Sequence, residues 1–145
     1  MWIAITEAAL QTGITGPELD AARSAALAEE QADPVPEVIQ QVTRQVRGYV
    51  ANCDRNTMGE GETIPDECLG AAVSLVVQGL CKRLPGKVVF TEERATAAAD
   101  AVNFLRDVAS CRFRIAQPEV QSTEKLAAPG PRITPRKRRL STDCL

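Results

Sequence analysis

The chain has 145 residues, 44% hydrophobic but 3% aromatic, and a formal net charge of −2. That length fits one domain, and alanine, valine and leucine must pack its modest core. Histidine is absent, which removes Ser-His and Cys-His nucleophilic sites and leaves zinc without its usual nitrogen ligand.

The acidic residues fall mostly in loops and first helical turns, where capping accounts for them, so no enzyme, cofactor or metal site is expected. Cys53, Cys68, Cys81, Cys111 and Cys144 stand far apart without a CxxC pair. They read as buried reduced thiols, not as a disulfide framework. The start, MWIAITEAAL, has no basic region or cleavage site, so no signal peptide is expected.

Charge is divided along the chain. Residues 1–111 hold nine Lys and Arg against sixteen Asp and Glu, and residues 112–145 hold eight against three. An acidic body with a basic tail implies two surfaces with different neighbours.

In chain order, a short apolar lead with Trp2 as core filling precedes a brief helix from Thr6-Glu7 to about Thr12, closed by Gly13. Thr15-Gly16-Pro17-Glu18 opens a second helix to about Glu29, with Leu19 and Leu27 as its larger apolar residues. Asp33-Pro34-Val35-Pro36 reads as a stiff extended corner. A third helix, from about Pro36 to Cys53, carries one apolar stripe: Val35, Val38, Ile39, Val42, Val46, Tyr49, Val50 and Cys53. Gln40, Gln41, Arg44, Gln45 and Arg47 take its other side.

Residues 54–62, DRNTMGEGE, form a polar loop in which Gly59 and Gly61 supply flexibility. Their Gly-x-Gly lacks the strand and GK[ST] of a phosphate loop. Glu60, Glu62, Asp66 and Glu67 have the oxygens for a hard cation, but a solvated acidic loop is the simpler reading. Asp54, Arg55, Glu60 and Glu62 are its exposed charges; beside DNA, its carboxylates would repel phosphate.

The stretch from Thr63 to Gly86 organises the rest. Leu69, Ala72, Val73, Val76, Val77, Leu80, Cys81 and Leu84 recur at helical spacing. Ala71 and Leu75 widen that surface, so this central helix should be contacted from several sides, with the third helix antiparallel to it. Pro65 is placed in its first turn, Thr63 and Asp66 form a variant capping box, and Pro85-Gly86 stops it. It is too short and too bracketed by charge to span a bilayer.

After a short extended run to Phe90, Thr91 caps a last helix lined by Ala95, Ala98, Val102, Leu105 and Ala109. Ala97, Ala101, Phe104 and Val108 widen its apolar face. The periodicity ends near Phe113. The expectation is therefore an all-α bundle of four to five helices over residues 1–112 and an extended basic arm over residues 113–145. Along the arm, Phe113, Ile115, Leu126, Ile133 and Leu140 are spaced as anchors, and Arg132, Arg136, Lys137, Arg138 and Arg139 suit an acidic surface.

ITEAAL, GPELD, ADPVPEVIQQVTRQVRGYVANC, the TIPDE start of the central helix, CKRLPGK and FLRDVASCRF together resemble one family. It is the head-to-tail connector, or adaptor, family of Mu-like bacteriophages and prophages. The resemblance covers roughly residues 1–115, and PGPRITPR in the tail is similar as well.

It implies an all-α structural virion protein, made in the host bacterial cytoplasm and located in the head-tail neck. Adjacent copies would form a ring, expected to be dodecameric, beneath the portal protein. That ring would extend the DNA channel without sequence readout and offer a platform to the next neck or tail-completion protein. The arm would then bind the portal or a neighbouring subunit, and the 54–62 loop would face the channel. The alternative from a different class is a small helical nucleic-acid-binding regulator whose basic arm grips phosphate. No membrane partner is expected.

Overall fold

The computed structural model describes residues 1–83 and 90–119. Five helices and one two-stranded ladder lie within them: β1 (Trp2–Ile3), α1 (Glu7–Leu10), α2 (Gly16–Ala28), α3 (Pro34–Ala51), β2 (Ile64–Pro65), α4 (Leu69–Cys81) and α5 (Glu92–Ala109). The protein is a small all-α bundle, with α3, α4 and α5 packed against one another.

The apolar patterns explain that core. Val35, Val38, Val42, Val46 and Val50 of α3 are buried in one row, while Ile39 and Tyr49 flank it half-buried. On α4, Ala72, Val73, Leu75, Val76, Val77, Leu80 and Cys81 are all buried, more than one stripe holds, because neighbours cover it from several sides. Gly13, at the close of α1, lies against Val73 and Val77; a Cβ added there would stand 3.1 Å from Val73. On α5 the buried residues are Ala98, Ala101, Leu105 and Val108. Ala97 stays exposed, so that face is narrower than its alanine content implies.

Directions follow from contacts at the helix ends. Gly79, late in α4, lies on Val38, early in α3, and Arg83 bonds Glu37 at 3.1 Å. These neighbours are antiparallel, as expected. The ends of α3 and α5 instead come together, with Cys53 and Cys111 joined in a disulfide.

Helix starts hold two corrections. Asp33 is the N-cap of α3, its Oδ1 accepting the Val35 N–H at 2.9 Å. Pro34 and Pro36 therefore sit inside the first turn, where no donor is required, and form no extended corner. The start of α4 also differs. Ile64 and Pro65 pair with Ile3 and Trp2 as β2, a 3₁₀ turn covers Asp66–Cys68, and only then does α4 begin. The Thr63 hydroxyl donates to the Glu60 carbonyl at 2.7 Å and caps nothing. Strand pairing with the chain's beginning outcompetes a longer helix there.

Two helices close on a left-handed residue that is not glycine. After α2, Gln31 N–H donates to the Ala26 carbonyl, and after α5, Arg112 N–H donates to the Asp107 carbonyl. Both close a Schellman turn, with Glu30 (φ 57°) and Cys111 (φ 60°) in the left-handed position usually held by glycine.

Candidate functional site

Trp2 is the hub of the region where the two ends of the described chain meet. Its ring lies over Gly59, so closely that a Cβ there would stand 2.5 Å from the ring. Glycine is needed at 59 for this approach, not for flexibility; at Gly61 (φ 62°) it is needed for the backbone conformation. The Arg47 guanidinium stacks 5.8 Å from the Trp2 ring centre. It also donates to the carbonyls of Thr63 at 2.6 Å and Gly59 at 3.0 Å. Arg47 thus holds the loop down.

Against this hub lies the first part of the expected arm. Trp2 Nε1–H donates to the Ala116 carbonyl at 2.9 Å. The Ala116 N–H donates to the Glu67 carboxylate at 2.8 Å, and the Thr57 N–H to the Gln117 side-chain oxygen at 2.7 Å. Ile115 belongs to the core, and Phe113 meets Phe104 edge-on with centroids 4.8 Å apart. Phe113 and Ile115, expected to reach for another subunit, are therefore engaged by their own body. Burial of Ile115 supplies the affinity, and the three polar ties supply the position. The remaining expected anchors, Leu126, Arg132, Ile133, Arg136, Lys137, Arg138, Arg139 and Leu140, lie outside the described residues.

The acidic loop beside this segment is open to solvent at Asp54, Arg55, Glu60 and Glu62. Glu62 accepts from Gln40 Nε2 at 3.0 Å. Pro118 and Glu119 border the same recess as Glu60, Gly59 and Met1. Glu119, at the end of the described residues, therefore lies beside the acidic loop. Among the described residues, no three His, Cys, Asp or Glu side chains gather as metal ligands, and no helix is long and apolar enough to cross a membrane.

Two features went unread in the sequence. One is the disulfide: Cys53 and Cys111, with Cα atoms 5.4 Å apart across 58 residues, are not the reduced thiols expected. Each stands just past the last turn of a long helix, a placement visible in sequence, but only the shared direction of α3 and α5 makes it a pairing. Cys68 and Cys81 are buried and take no part in a disulfide. Burial pushes Cys68 up to about 11, and Cys81 is raised by the same cause. The other feature is Arg94 of α5. It binds both oxygens of Glu18, at 3.0 and 2.9 Å, and the Gly13 carbonyl at 3.3 Å. Glu18 also accepts from the Thr15 N–H and hydroxyl, each at 2.9 Å. The Arg94 hydrogen bonds and the Thr15 N–H hold its carboxyl down at about 2.

No protein-family model matches the chain, and no curated protein or solved structure matches it either.

Proposed function

We propose that this chain is a head-to-tail connector subunit of the Mu-like phage type: a non-enzymatic virion protein whose copies form a ring beneath the portal. The reading rests on the motif resemblance over residues 1–115. The observation that supports it best is the tethered exit of the chain. Residues 113–117 are fixed to the body by Trp2, Glu67, Thr57 and core contact of Ile115. Residues 120–145, with six Lys and Arg against two Asp and Glu, thus start from a defined point.

A basic segment rooted at a fixed point suits a reach to one neighbour, because the root limits where its charge can act. The neighbour's acidic body, net −7 over residues 1–111, or the portal would supply the complementary surface. The exposed carboxylates of the 54–62 loop would then line the channel and keep DNA mobile. The portal, adjacent copies and a following neck protein are the partners of this reading.

Truncation tests it. A chain ending after Glu119 retains every described tie, and should stay folded while failing to co-assemble with the portal. A truncated chain that assembles as well as the full one contradicts the role given to the arm. Salt-dependent DNA binding by a monomeric full chain, with no assembly, favours the regulator instead.

A further inference from the structure

We propose that the Cys53–Cys111 bond is a redox latch that fixes where the C-terminal segment lies on the body. The bond joins the residue after the α3 C-cap to the residue after the α5 C-cap. Cys111 is the left-handed residue of the α5 Schellman turn, a conformation that disfavours any side chain but here turns Sγ toward Cys53. The next residue commits the direction of the chain: Arg112 and Phe113 both donate to the Asp107 carbonyl, at 2.9 and 3.3 Å. The latch is therefore only a few residues from the Ile115, Ala116 and Gln117 contacts.

The bond is open to approach from the side of Cys111, which is half-buried, whereas Cys53 is buried. Cys53 and Cys111 border a surface cleft of about 310 Å³, with Arg55, Asn56, Phe113 and Arg114 also along it. Two guanidinium groups beside this cleft favour approach of a thiolate and stabilise the thiolate released. Cys68 and Cys81 are buried, and their thiols resist ionisation, so neither offers a competing partner for exchange.

The chemistry is dithiol–disulfide exchange. A thiolate of an external dithiol attacks one sulfur of the pair, forming a mixed disulfide and releasing the other as thiolate. The second external thiol then resolves the mixed disulfide. Two electrons and two protons pass to the protein, leaving two thiols and an oxidised reagent.

Without the bond, residues 112–117 are held by a short set of hydrogen bonds, one buried isoleucine and the edge contact of Phe113 with Phe104. The helices keep their own packing through the aliphatic contacts of α3, α4 and α5, which do not depend on the bond. Reduction should therefore loosen this segment selectively, and reoxidation should lock it again. This inference stands apart from the connector reading.

The test uses the full chain, oxidised and then treated with dithiothreitol. Trp2 is the only tryptophan and touches Ala116 directly, so its emission reports release. Reduction should shift Trp2 emission to the red and speed exchange of the Arg112, Phe113 and Ala116 amides by about tenfold or more. The far-ultraviolet helical signal should stay constant, and reoxidation should reverse both changes. C53S should behave as the reduced chain and ignore dithiothreitol.

The latch is overturned if mass spectrometry finds both thiols free under air oxidation. It is equally overturned if reduction leaves emission and exchange unchanged, or if the whole helical signal is lost, which would make the bond a global staple.

Discussion

Helix α4 and the junction around Trp2 are stabilised by different means. In α4 nearly every stabilising group is aliphatic, and Ala72, Val76 and Leu80 are wholly enclosed. In the junction, one aromatic ring, one guanidinium and a handful of backbone donors hold together segments that are distant in sequence; the Trp2–Ala116 bond spans 114 residues. Apolar packing is non-directional and tolerates small shifts, whereas the junction depends on geometry. Damage to the first region should unfold the molecule, and damage to the second should release an end while the bundle persists.

The largest effect should come from placing a charge in α4. Val76→Asp buries an unpaired carboxylate where no polar partner stands and should cost more than about 4 kcal/mol, enough to abolish the cooperative melt. Circular dichroism against temperature checks this. A soluble variant with an unchanged melt would mean that α4 is not the core helix.

Trp2→Ala probes the junction. It removes the ring over Gly59, the Arg47 stack and the Ala116 hydrogen bond together, and should cost about 2–3 kcal/mol. Residues 113–117 should become susceptible to limited proteolysis while helix content is retained. Loss of all helical signal would erase the distinction between the two regions.

The Arg94–Glu18 pair should give an intermediate effect with a pH signature. The carboxyl of Glu18 falls from its ordinary 4.5 to about 2 in the folded chain, so its contribution is complete above 4.5. It is lost as pH falls through that window toward 2. Glu18→Gln should cost about 2 kcal/mol at neutral pH and flatten this part of the acid-stability curve. Urea melts at pH 7, 4 and 3 would reveal it, and identical pH profiles for both chains would contradict it.

The smallest effect belongs to the loop surface. Glu60→Gln with Glu62→Gln changes two exposed side chains and should alter stability by no more than about 0.5 kcal/mol. A larger loss would mean that the loop carboxylates are structural, which removes the motive for placing them in a channel.

These two regions also mark what could be read from the sequence. The periodicity of Val35 to Val50 and of Leu69 to Cys81 identifies α3 and α4, because burial on a helix repeats locally. Thr15, Thr91 and Thr6 mark helix starts for the same reason: a cap needs only residues three positions away. The junction leaves no such trace. Ile115 looks like an isolated apolar residue in a polar tail until α5 returns it to the bundle, so the body extends past the boundary expected at 112. Arg47 looks like an exposed cation until Trp2 lies under it. Pro65 resembles a helix start because the strand that captures it is more than sixty residues earlier. Cys53 and Cys111 have no pattern between them; their pairing is a consequence of topology.

The connector reading can be tested most directly by end-on two-dimensional classes of the purified full-length protein, alone and with the portal. The account predicts closed rings of bundle-sized subunits around an open channel, formed by the full chain and lost when it is cut after Glu119. Monodisperse single subunits under every condition, with the portal bound or not, would contradict it.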